Sequence, residues 1–128
     1  MTDHDDIRPA LHGGGIIDIT TTGRTSGQPR RIEIVFFNLD GRVYITGTPG
    51  TRAWIANLNA DPHLTFHLKR GPLADLPATA RIVTDEPERR AVAEAACSAW
   101  NRPGQVDAFV AGSPVIEVLF EDEALRTS

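Results

Sequence analysis

The chain has a single cysteine, Cys97, so no internal disulfide can staple the fold, and the count suits a reducing compartment. No apolar run approaches the roughly 20 residues that a membrane-spanning helix needs. The opening MTDHDDIRPALHGGG is acidic and lacks an apolar core, so it does not read as a secretory leader. A cytoplasmic protein is the expectation. Positive charge is not in excess either: the formal net charge is −4, which weighs against general binding to nucleic acid or to a membrane surface. No serine stands in a Gly-x-Ser-x-Gly context, so a hydrolase triad of that kind has no anchor. Internal repeats and low-complexity tracts are also missing.

What remains is an ordinary globular composition. The 128 residues are enough for one buried core, and the hydrophobic fraction of 41% can fill it. Residues 1–15 read as a loosely ordered segment ending in Gly13-Gly14-Gly15, and residues 16–128 as a single domain. IIDITT (16–21) is rich in β-branched residues and predicts a strand. GRTSGQPR (23–30) is a turn or loop. RRIEIVFFNL (30–39) predicts a second strand, closed by the hairpin pair Asp40-Gly41 and completed by RVYITG (42–47). TPGTRAWIANLNADP (48–62) changes period: Thr51 could cap a short helix carrying Trp54, Ile55 and Leu58, ended by Pro62.

HLTFHL (63–68), LPATARIVTD (76–85) and PVIEVLFE (114–121) predict further strands. DEPERRAVAEAACSAW (85–100) predicts the longest helix, with Asp85 as cap and Pro87 and Glu88 in its first turn. Hairpins dominate, and no regular strand-helix-strand alternation appears. The expected class is mainly β (α+β): an antiparallel sheet or small barrel with helices packed outside it.

Several motifs fail on physical grounds. Gly13-Gly14-Gly15 precedes a strand, whereas a dinucleotide fingerprint stands between a strand and a helix. TTTGRTSG lacks the Gly-Lys-Ser/Thr ending of a triphosphate loop and runs into a strand. His63 and His67 lie four apart on a predicted strand, which separates them by about 13 Å. One zinc ion with ligands at about 2 Å cannot bridge that span. Cys97, inside an alanine-rich helix, reads as a small buried hydrophobe.

The stretch TTTGRTSGQPRRIEI (20–34) is different. Arg24, Arg30 and Arg31 bracket a loop carrying Thr25, Ser26 and Gly27. Guanidinium groups bind phosphate and carboxylate bidentately, and hydroxyls with loop amides complete such a cradle. The competing reading is a solvated hairpin end. Along the strand Arg31 and Glu33 share one face and Ile32 and Ile34 the other. Glu33 either orients Arg31 toward a ligand or forms a surface ion pair, and spacing does not choose. A second region follows in YITGTPGTRAWIANL (44–58). Thr46, Gly47 and Thr48 leave a strand, and a turn leads to a short helix with Arg52, Ala53 and Trp54. Glycine at 47 permits close approach of a flat ligand, and free amides at a helix start favour anions.

Together, TTTGRTSGQPRRIEI and GRVYITGTPGTRAWIANLNADPHLTFHL resemble the deazaflavin (coenzyme F420)-dependent nitroreductase and quinone reductase family. The resemblance covers residues 16–68 well and the remainder by element order. It implies a split β-barrel of about six strands with flanking helices, like the FMN-binding proteins. It also implies a cofactor whose phosphate and glutamate tail are strongly acidic. By motif position Arg30 and Arg31 would hold phosphate or tail, with Arg24, Thr25, Ser26, Ile32 and Glu33 beside them. Thr46, Gly47 and Thr48 would line the deazaflavin ring, Arg52, Ala53 and Trp54 would close over it, and Asn57 would brace the short helix.

The chain departs from the family pattern at Thr25, where lysine is common, and at Glu33-Ile34, where proline-leucine is common. The turn before Trp54 is shorter, and Ile55 replaces a common tyrosine. The implied activity is hydride transfer from reduced F420 to a small organic acceptor: a quinone, enoate or nitroaromatic. No side-chain acid or base is required, and the expected assembly is a homodimer. The alternatives are an FMN-binding oxidoreductase on the same barrel, or a non-catalytic cofactor-binding protein.

Overall fold

A computed structural model describes residues 4–47, 53–122 and 125, with side chains from residue 7 onward. Strands β1 (Gly15–Thr22), β2 (Pro29–Leu39), β3 (Arg42–Thr46), β4 (His63–Leu68), β5 (Ala74–Ile82) and β6 (Val115–Phe120) form the sheet. They close into an antiparallel barrel in the order β1-β2-β3-β6-β5-β4. The period of two decides what enters the core. On β1, Ile17 and Ile19 face inward while Asp18 and Thr20 face out. Phe36, Phe66 and Phe120 meet edge to face at the centre, with centroids 5.2 and 5.3 Å apart. Asp40 (φ 54°) and Gly41 (φ 86°) both take the left-handed conformation that a two-residue hairpin demands.

Helices cap the barrel and cover one side of it. α2 (Ala53–Ala60) drives Trp54 and Leu58 into the core. Within the segment expected to be loosely ordered, His4–Gly13 is a helix, α1, that buries Ile7 and Leu11 against the barrel. The four-residue spacing of those two side chains makes it amphipathic, a signal that the acidic run, Pro9 and the three glycines obscure. α3 (Glu86–Ala99) begins where expected, with the Asp85 carboxylate accepting the Glu88 N–H at 3.1 Å. α4 (Val106–Gly112), entered through a short turn at Pro103–Gln105, is not legible in the sequence. Its C-terminal carbonyls are held by Arg89, which donates to Val110 O and Ser113 O as well as to Val83 O. Together α3 and α4 bury Cys97, Val92 and Phe109 against Tyr44 and Val115 on the outer faces of β3 and β6.

Candidate functional site

At the end of the barrel where β1 gives way to β2, a cleft of about 470 Å³ opens between the connecting loop and α2. Local bonds set the loop's shape. Gly23 N–H donates to Gln28 O at 2.8 Å, Gly27 N–H to Gly23 O at 2.8 Å, and Gln28 N–H to Ser26 Oγ at 3.2 Å. Gly27 has φ 71°, which favours glycine. At Gly23 the constraint is space: a Cβ there would lie 2.8 Å from Ser26 Oγ and 3.2 Å from Gln28 O. The loop is tied to α2 by one buried side chain. Asn57 Nδ2 donates to Thr21 Oγ1 at 3.1 Å, and Asn57 Oδ1 accepts Arg24 N–H at 3.1 Å.

Strand register then sorts the expected residues. Thr21 pairs with Arg30 and Ile19 with Ile32, so Arg30 and Ile32 lie on the face that leads into the cleft. Thr20 pairs with Arg31 and Asp18 with Glu33, on the opposite face. Arg24, Thr25 and Ser26 line the cleft from the loop, and Ala53, Trp54 and Asn57 from α2. Arg31 does not join them. Consecutive strand residues face opposite ways, and its guanidinium, 53% exposed, binds Asp18 at 2.9 Å.

Glu33 is also outside the cleft, where Lys69 bridges it to Asp18. Lys69 first, and then Arg31, hold the Asp18 carboxyl below the usual carboxylate range. Thr46 is buried and donates to Pro114 O, and Gly47 faces the same proline; neither lines the cleft. Thr48 and Arg52, like the capping position Thr51, lie outside the described residues. Thr21 and Gly23 are cleft residues that the motif reading missed. Thr21 could have been found by extending the strand alternation one pair past Ile19.

The electrostatics are lopsided. Among the described residues neither Arg24 nor Arg30 has a carboxylate partner. Arg31, Arg42, Lys69, Arg81 and Arg90 are all paired. No carboxylate, imidazole or thiol stands among the described cleft-lining residues. Two unneutralised guanidiniums beside hydroxyls make a seat for an anion, and Ile32, Ala53 and Trp54 provide an apolar wall next to it. The histidines are elsewhere and apart. His63 faces Asp61, and His67 bridges Thr20 and Asp75 at 2.7 Å each.

Comparison with known proteins gives a family and a fold. Residues 4–106 match the model of the F420H(2)-dependent quinone reductase family. Among solved structures, an F420-H2 dependent reductase is 22% identical with TM-score 0.59, covering 81% of this chain and 93% of its own. A FAD-binding protein from Mesorhizobium loti is 15% identical with TM-score 0.67, over 94% of this chain and 90% of its own. A domain-swapped dimer is 21% identical with TM-score 0.62, over 89% and 94%.

Proposed function

Because the chain belongs to the F420H(2)-dependent quinone reductase family, we propose that the cleft between the β1–β2 loop and α2 is where the acidic end of its cofactor is held. The protein is a reductase that uses coenzyme F420 and transfers a hydride from the reduced cofactor to a small organic acceptor. The observation that carries the site assignment is the pair of guanidiniums, Arg24 and Arg30, that line one cleft of an acidic protein and have no carboxylate partner among the described residues.

The bound cofactor supplies the hydride; the chain supplies position. Arg24 and Arg30 take phosphate or tail carboxylate, with Thr25 and Ser26 adding hydroxyl donors. Asn57 holds the loop so that these groups converge before a ligand arrives. Ile32, Ala53 and Trp54 keep water from one side of the cleft. Hydride transfer needs its reacting atoms within about 3 to 3.5 Å, so orientation is the main task.

The acceptor is a quinone, enoate or nitroaromatic, and the working unit is a homodimer in the cytoplasm. The dimer reading draws support from the domain-swapped relative of similar fold. Titrating the purified protein with F420 and following its fluorescence tests the site. Saturable binding that weakens on Arg24→Ala and Arg30→Ala supports the assignment. Wild-type affinity in both variants overturns it. A protein that purifies yellow with bound FMN would redirect the cofactor reading.

A further inference from the structure

On the outer face of the barrel, away from the cleft, three side chains from neighbouring strands form a relay. His67 of β4 pairs with Asp75 of β5 on one side and with Asp18 of β1 on the other, and Thr20 stands two residues along β1 from Asp18. Thr20 Oγ1 lies 2.7 Å from His67 Nε2, and Asp75 Oδ1 lies 2.7 Å from His67 Nδ1. An ionised carboxylate can only accept, so Nδ1 carries a proton and donates it to Asp75. In the neutral ring Nε2 is then the acceptor, and the Thr20 hydroxyl donates to it. The His67 side chain is 9% exposed, whereas Thr20 is half-buried, so the base is enclosed and the hydroxyl can be reached. Asp75 is open to water, and its part is to orient the ring.

A hydroxyl, an imidazole acceptor and an orienting carboxylate in this order are the parts of an activated nucleophile. A fourth group stands beside them. Arg31 is paired with Thr20 across β1 and β2, and side chains so placed have Cβ atoms about 4.5–5.5 Å apart. Its Nε donates to Asp18 at 2.9 Å, and its Nη groups have no partner among the described residues. They can donate to a carbonyl oxygen that gains charge above Thr20. Across the other seam Thr20 faces Thr65, a small side chain that leaves the approach open.

We propose that Thr20 is a nucleophile that takes acyl groups from activated esters, with His67 as its base. Thr20 Oγ1 attacks the ester carbonyl carbon while its proton passes to Nε2. The new Oγ1–C bond forms, the bond from that carbon to the leaving oxygen breaks, and the proton goes on to the leaving group or to solvent. Water later releases the acyl group as a carboxylic acid and restores the hydroxyl. No electron is transferred, and the site does not rest on the reductase reading.

Excess p-nitrophenyl acetate tests it, with released p-nitrophenolate followed by absorbance and the acetyl group located by peptide mass spectrometry. A burst of one p-nitrophenolate per chain is expected, with the acetyl on Thr20. Thr20→Val keeps the side-chain shape and suits a strand, and it should lose both burst and label; Thr20→Ser should keep both. His67→Gln should slow the burst on the order of a hundredfold, and Asp75→Asn and Arg31→Ala about tenfold each. F420 affinity in Thr20→Val and His67→Gln should match wild type, which shows that the barrel is intact. No burst, acetyl found only on lysine or the amino terminus, or a burst undiminished in Thr20→Val or His67→Gln would each overturn the proposal and leave the three groups a hydrogen-bonded strut.

Discussion

Asn57 Nδ2 lies 3.1 Å from Thr21 Oγ1, and the other end of the same carboxamide receives the Arg24 N–H. One side chain of α2 thus holds both the last inward residue of β1 and the first cationic residue of the loop. Truncation in Asn57→Ala strands a buried hydroxyl and a backbone donor. The expected loss is about 1 to 3 kcal/mol of stability, read from urea unfolding midpoints. F420 affinity should fall as well, because the arginine-bearing loop loses its tether. An unchanged midpoint would mean that the loop does not depend on this contact.

The two adjacent arginines of β2 should behave oppositely. Arg30 is on the cleft face with no carboxylate partner among the described residues, and Arg31 is on the outer face bound to Asp18. Arg30→Ala should weaken F420 binding by about 1.5 to 3 kcal/mol, the scale of a hydrogen bond to a charged group. Arg31→Ala should leave that affinity unchanged and cost under about 1 kcal/mol of stability, as exposed pairs do. A side-by-side fluorescence titration of the two variants decides it. Equal weakening would place Arg31 at the cofactor after all.

That contrast also marks how far the sequence could be read. Barrel class, hairpin at Asp40-Gly41 and cap at Asp85 were legible because each rests on a local rule of backbone conformation. The arginine cluster was legible as a cluster. Which arginine faces the cleft was not, since it depends on whether Thr21 or Thr20 sits opposite Arg30, a long-range register. The helix over His4–Gly13 was obscured because Ile7 and Leu11 signal it only against a barrel they can pack on. The pairing of Glu33 with Lys69 joins residues far apart in sequence, and no motif announces it.

Away from the cleft, Glu88 anchors α3 to the barrel. It accepts from the Tyr44 hydroxyl at 2.6 Å and from Arg81, whose Nε also binds Glu117 at 2.6 Å. Burial pushes the Glu88 carboxyl up, but Tyr44 and Arg81 outweigh it and hold it below the ordinary value of 4.5. A folded-state pKa below the unfolded one gives stability that is present above the unfolded value and lost as pH falls through the folded one. Glu88→Gln should therefore cost about 1 to 3 kcal/mol near pH 7. The gap from wild type should narrow as the solution is acidified through the carboxylate range. Urea midpoints of both proteins along a pH series provide the comparison, and a pH-independent gap would refute the coupling.

Tyr44 is the sole tyrosine of the chain, so tyrosinate absorbance reports this one group. Burial first, and then the Glu88 carboxylate, push its pKa up from 10.0 to about 12. In a rapid pH jump, absorbance should rise near 12 in the folded protein and near 10 once urea has unfolded it. The sign of the linkage follows. Stability is complete below the unfolded value, then declines as pH climbs, because the unfolded chain gives up its proton first. A shift of two units corresponds to about 2 to 3 kcal/mol, lost progressively over that interval. Tyr44→Phe should lack this alkaline decline and be less stable than wild type at neutral pH, since Glu88 then loses its hydroxyl donor. A folded-state transition near 10 would show that the phenol is not held as the Tyr44–Glu88 contact requires.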